Sequence, residues 1–171
     1  MTRTPHPPAV TDRDLPLLLA VYGTLRRGCR NHHVLAGSEH VTDGAVSGVL
    51  HEMVASQRLD YTYPLLVVPP QPSVVGPRVV VEVYRVSDPR VLARLDALED
   101  FDPTDPGGSE YVRTKVPLLG SGPAAGPAPT GPGRPTPSEV QVYAYAGSVA
   151  VAEQGPVLPG GDWCTHKGAL G

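Results

Sequence analysis

Ala20-Val21-Tyr22-Gly23-Thr24-Leu25-Arg26-Arg27-Gly28 follows the apolar run Leu17-Leu18-Leu19, and its reading governs the rest of the chain. An apolar run that stops at a glycine and reopens into polar residues is the pattern of a buried strand delivering an exposed loop. Gly23 gives that loop the backbone freedom to present N–H groups to a ligand. The stretch is not a nucleotide fingerprint, because G-x-G-x-x-G and the P-loop lysine are both missing.

Outward from this loop, residues 15–22 read as a first strand and residues 31–35 as a short helix capped by Asn31. Residues 46–54 read as a strand weakened by Gly48, and 64–68 as another. Residues 78–86 carry the clearest β pattern, since Val79, Val80, Val81, Val83, Tyr84 and Val86 are β-branched or aromatic. A helix is predicted from Pro89 to about Asp100, with Asp88 as N-cap and Pro89 preset at the first helical position. Residues 111–119 and 140–146 complete the strands. Many strands, one good helix and no regular strand–helix alternation predict an α+β fold with a closed or curled sheet.

The helix holds a carboxylate on its apolar side. With Val91 set to zero and about 100° per residue, Leu95 falls at about 40°, Leu92 at about 100° and Leu98 at about 340°. Glu99 falls at about 80°, inside that stripe. Asp96 falls at about 140°, on its flank, and Asp100 at about 180°, on the far side. Burial and the negative end of the helix dipole both disfavour ionisation, so the Glu99 pKa should rise above its ordinary value of about 4.3. Such a group is a candidate general base. The competing arrangement pairs Glu99 with Arg26 or Arg113, or lets it fray out at the helix end.

Bulk properties remove several function classes. The chain has 171 residues and a net charge of −3, with a pI near 6.0. One domain is the expectation, and no basic surplus exists to recruit nucleic acid. The apolar run at 15–21 is too short to span a bilayer, which needs about 20 residues. No apolar signal core precedes it, and Cys29 and Cys164 suit a reduced protein better than a disulfide-stapled one. A cytoplasmic protein without nucleic-acid or membrane partners is therefore expected.

Residues 1–14 read as a disordered tail, 15–166 as the domain and 167–171 as a C-terminal tail. The Pro/Gly-rich segment 120–137 cannot bury enough apolar surface to offset its ordering entropy and reads as an insertion. No metal is expected. Cys29 and His32 lack a matching second pair for zinc, and the run Asp100, Asp102, Asp105 lacks the glycine and the closing glutamate of a calcium loop. Nor is a nucleophilic triad signature present.

The motifs together resemble the γ-glutamylcyclotransferase-like superfamily, in particular its AIG2-like and γ-glutamylaminecyclotransferase branch. The matching pieces are Val21-Tyr22-Gly23-Thr24-Leu25-Arg26-Arg27-Gly28, Asn31-His32, Tyr63-Pro64 and Glu82-Val83-Tyr84. They continue with Leu95-Asp96-Ala97-Leu98-Glu99, Tyr111-Val112-Arg113, Tyr145 and Gly161-Asp162-Trp163. One departure stands out: this chain has Val81 where the family usually has glycine. The resemblance implies a small mixed β-barrel with flanking helices. It also implies cyclisation of a small-molecule γ-glutamyl amine or amide to 5-oxoproline, without a cofactor. In that picture Tyr22, Gly23, Thr24 and Leu25 bind the γ-glutamyl group, Glu99 accepts the proton, and Tyr145 lies near the pocket. The alternative is a noncatalytic module of the same fold that binds a small ligand.

Overall fold

Strand β1 (Leu17–Val21) reads as uniformly apolar because both of its faces are covered. Leu17, Leu19 and Val21 join an apolar cluster with Val91, Leu92 and Leu95, whereas Ala20 and Tyr22 join a second with Val79, Val81 and Val83. A strand buried on both sides has no polar face to reveal its period of two. The computed structural model describes residues 15–54, 61–70, 76–120 and 140–167. The tail at 1–14, nearly all of the insertion at 120–137 and residues 168–171 lie outside the described residues.

Five strands close into the expected barrel. β1 pairs antiparallel with β5 (Arg78–Val86), β5 with β2 (Glu39–Ser47), β2 with β6 (Tyr111–Leu119), and β6 with β7 (Gln141–Gly147). β7 then meets β1 in parallel through Leu19 and Tyr143. Strands β3 (Val49–Val54) and β4 (Thr62–Val67) form a separate antiparallel pair. Val81 is fully buried and stands opposite Gly44, so a residue without a side chain faces the position where the resemblance expects glycine.

Two sequence expectations are corrected here. Residues 46–54 are not one strand: β2 ends at Ser47 and β3 begins at Val49. At Gly48 the chain leaves the barrel pressed against β4, where a Cβ would lie 2.7 Å from Leu66 Cδ1 and 2.8 Å from the Val67 carbonyl oxygen. The turn after the loop is a 3-10 helix over His32–Leu35. Asn31 does not cap it with its side chain. The short helices α2 (Val149–Ala152) and α3 (Trp163–Lys167) carry no sequence signal strong enough to predict them.

Helix α1 (Pro89–Leu98) starts as expected, with the Asp88 carboxylate accepting from the Arg90 N–H at 2.8 Å. Its end is a Schellman closure, in which Asp100 takes a left-handed φ of 48° and the Phe101 N–H donates to the Asp96 carbonyl at 2.9 Å. The buried face is Val91, Leu92, Leu95 and Asp96, while Leu98 is 40% exposed. On the helical wheel the buried stripe therefore centres at about 70° from Val91, and Glu99, at about 80°, falls at its middle. Asp96 is buried, not on the flank, because it has a partner inside.

Candidate active site

The loop after β1 is held by groups on both sides of it. Tyr22 is extended, and Gly23 turns the chain with φ of 71° into a 3-10 turn over Gly23–Leu25. A Cβ at Gly23 would run into the ring of Pro64, so a side chain is excluded by backbone conformation and by space. Asn31 returns to the turn, its N–H donating to the Thr24 carbonyl and its Nδ2 to Thr24 Oγ1, both at 2.9 Å. His32 Nδ1 lies 2.9 Å from the Leu25 carbonyl oxygen.

The two arginines anchor this loop from outside. Arg26 Nη1 donates to Asp162 Oδ1 at 2.7 Å, and the Arg27 N–H donates to Glu82 Oε2 at 3.1 Å. Glu82 is buried in the barrel wall, where Arg26 Nε at 3.6 Å and Arg27 Nε at 3.4 Å balance its charge. The Tyr84 hydroxyl donates to the same carboxylate at 2.9 Å. A buried carboxylate is tolerable when ionic and hydrogen-bonding partners surround it, and here they fix the direction of the loop.

Neither arginine proposed as a partner for Glu99 takes that role. Arg26 goes to Asp162 and Glu82, and Arg113 Nε lies 3.2 Å from Asp96 Oδ1. Among the described residues, the Glu99 carboxyl has neither a hydrogen-bond nor an ion-pair partner. Glu99 is half-buried. Burial, and secondarily the charge of Glu110, push its pKa up to about 8. The second cause was not legible in the sequence, because Glu110 lies outside the helix and immediately before β6.

Three tyrosines, Tyr22, Tyr111 and Tyr145, feel the charge of this acid. Burial raises the Tyr22 hydroxyl well above its ordinary range, and the nearby Glu99 charge raises it further. Tyr111 is raised likewise by burial, then by Tyr22 and Glu99. Tyr145 is raised by burial first and by the Asp96 charge next, with a smaller contribution from Glu99. The Tyr22 hydroxyl donates to the Tyr145 carbonyl at 2.6 Å and accepts from the Leu66 N–H at 3.3 Å. Tyr145 in turn donates to Asp96 Oδ1 at 2.6 Å, Tyr111 to the Pro64 carbonyl at 3.0 Å, and Tyr63 to Glu110 Oε1 at 2.6 Å.

The residues singled out from the sequence thus divide. Glu99 and Tyr22 share one electrostatic environment, and Tyr145 is tied to Tyr22 through its carbonyl and to Asp96 through its hydroxyl. Gly23, Thr24 and Leu25 follow directly from Tyr22 in the turn. Asp96, Glu110, Tyr63, Tyr111 and Glu82 were missed as site components, although four of them lie within the quoted motifs. The acid-rich segment after α1 borders a surface cleft of ≈260 Å³ lined by Asp96, Asp100, Asp102 and Asp105 among others. Asp102 Oδ1 is already engaged by the Thr104 N–H and hydroxyl, each at 2.7 Å.

The family model for gamma-glutamyl cyclotransferase, AIG2-like proteins matches residues 19–165. The chain belongs to this family. Its fold is shared by an AIG2-like protein from mouse, with 23% identity and a TM-score of 0.54 over 83% of this chain and 85% of that one. An uncharacterised protein from Pyrococcus horikoshii is similar at 19% identity and a TM-score of 0.54, covering 88% of this chain and 92% of that one. An allophanate hydrolase from Kluyveromyces lactis carries the same fold at 15% identity and a TM-score of 0.56, over 84% of this chain but only 19% of the hydrolase. No curated protein matches the chain. Among the described residues, no helix of this γ-glutamylcyclotransferase-family member is long and apolar enough to cross a membrane. No group of three or more described His, Cys, Asp or Glu side chains is gathered as a metal site.

Proposed function

We propose that this chain cyclises a γ-glutamyl amine or amide to 5-oxoproline and releases the free amine, with Glu99 as general acid and base. The observation that carries the reading is the half-buried Glu99 carboxyl, without a partner among the described residues and pushed up to about 8. The substrate α-amine arrives protonated and must lose a proton before it can attack, and a carboxyl with a raised pKa is the better proton acceptor at neutral pH.

The freed α-amine attacks the γ-carbonyl carbon, forming the ring C–N bond. The bond from that carbon to the departing nitrogen breaks, and the proton held by Glu99 goes to that nitrogen. Glu99 then passes on the second proton shed by the ring nitrogen, so that the amine leaves as its ammonium. Such proton handling is typically worth about 10²–10⁴-fold. Holding the glutamyl chain curled contributes more, because a well-oriented intramolecular attack can supply about 7–11 kcal/mol. Backbone N–H groups of Gly23, Thr24 and Leu25 receive the substrate carboxylate or the developing oxyanion. Tyr22 and Tyr145 form the wall against which the substrate folds, and excluding water there strengthens each polar contact.

Incubation with a panel of γ-glutamyl amines, read by mass spectrometry for 5-oxoproline, tests the proposal. Product should form with at least one member, and Glu99→Gln should bind the same compound without turning it over. Saturable binding without product by the unmodified protein would leave a ligand-binding module in place of an enzyme.

A further inference from the structure

Cys29 and Cys164 lie 135 positions apart in the chain, yet their sulfurs are in direct contact at 2.6 Å. Both are free thiols. We infer that they are a reversible dithiol–disulfide site that staples the loop after β1 to helix α3. This site is separate from the acid–base chemistry proposed above and does not depend on it.

The placement carries the inference. Cys29 directly follows Gly28, and its backbone is held on both sides: its N–H donates to the Arg26 carbonyl at 3.0 Å, and its carbonyl accepts from the His32 N–H at 3.2 Å. Cys164 stands in α3 beside the fully buried Trp163, and its thiol also reaches the Gly23 carbonyl oxygen at 3.6 Å. Asp162 binds Arg26 at 2.7 Å and accepts from the Thr165 N–H at 3.2 Å, so α3 and the loop are already registered to each other. Two sulfurs held by independently anchored backbone present a high effective concentration to one another.

The chemistry needs an oxidant, and a low-molecular-weight disulfide such as oxidised glutathione suffices. Cys164 is the more accessible of the two, and its thiolate attacks one sulfur of that disulfide, releasing one small thiol. Cys29, as thiolate, then attacks the Cys164 sulfur and releases the second. The two protein thiols lose two electrons and two protons, and one small disulfide becomes two thiols. Burial and the Cys29 sulfur push the Cys164 thiol up to about 12, which makes the first step slow at neutral pH without changing the end point.

The full-length protein, equilibrated in glutathione buffers from fully reduced to fully oxidised, tests this. At the oxidised end both free thiols should disappear, with a mass lower by two hydrogens and a Cys29–Cys164 linked peptide on digestion. Amide exchange in the segment 23–29 should slow by about tenfold, and the thermal midpoint should rise. Dithiothreitol should reverse all of these changes, and Cys164→Ser or Cys29→Ser should abolish them. Two thiols that stay free, glutathione adducts without a bridge, or a bridge that leaves exchange in 23–29 unchanged would each overturn the inference.

Discussion

The Tyr22 hydroxyl donates to the Tyr145 carbonyl at 2.6 Å and, on its other side, accepts from the Leu66 N–H at 3.3 Å. One side chain at the mouth of the loop therefore satisfies two buried backbone groups, one on β7 and one on β4. Both strands also carry tyrosines of the site, Tyr63 on β4 and Tyr145 on β7. Tyr22→Phe leaves both groups without a partner, and each such loss costs about 1–3 kcal/mol. Urea unfolding should show a destabilisation of at least about 1 kcal/mol with an unchanged slope. A variant as stable as the parent would mean that the two backbone groups find other partners.

Gly23 and Gly28 both hold left-handed φ, at 71° and 80°, but only Gly23 is also crowded. Alanine at position 28 meets nothing within 4 Å, so it pays only for its backbone conformation, about 1–2 kcal/mol. Alanine at position 23 must in addition displace Pro64, and overpacking adds about 1–3 kcal/mol. Thermal unfolding should rank Gly23→Ala well below Gly28→Ala. Equal midpoints would show that Pro64 yields freely.

The pH dependence of stability tests the state of Glu99. The folded chain holds its proton up to about 8, whereas the unfolded chain releases it at the ordinary value of 4.5. Above 4.5 the unfolded state binds fewer protons at this site, so its contribution to stability falls as pH rises and levels off above about 8. After discounting for the residue's remaining exposure, the loss is on the order of 2 kcal/mol. Glu99→Gln should narrow the stability difference between pH 5 and pH 8 by that amount. Parallel profiles for the two proteins would place the carboxyl in water.

The helix face is open to a paired test. Leu95 is fully buried and Leu98 is 40% exposed, although both lie on the apolar stripe drawn from sequence. Leu95→Ala should cost about 2–5 kcal/mol, and Leu98→Gln no more than about 0.5 kcal/mol. Similar costs at the two positions would restore the stripe centred nearer Leu98 and move Glu99 to its edge.

Sequence alone determined the elements whose signals are local. The β5 and β6 boundaries follow from runs of β-branched and aromatic residues, and the start of α1 from Asp88 and Pro89, because strand preference and capping act within a few residues. The glycine-bearing loop and the anomalous position of Glu99 were legible for the same reason. Only the tertiary structure decided where Asp96 and the arginines go, since Tyr145 and Arg113 draw Asp96 inward from strands far along the chain. It likewise decided that Gly48 divides β2 from β3, that Glu110 shares the field of Glu99, and that two distant cysteines touch. Partnerships of this kind are set by which strands the barrel brings side by side, and neither periodicity nor propensity encodes that pairing.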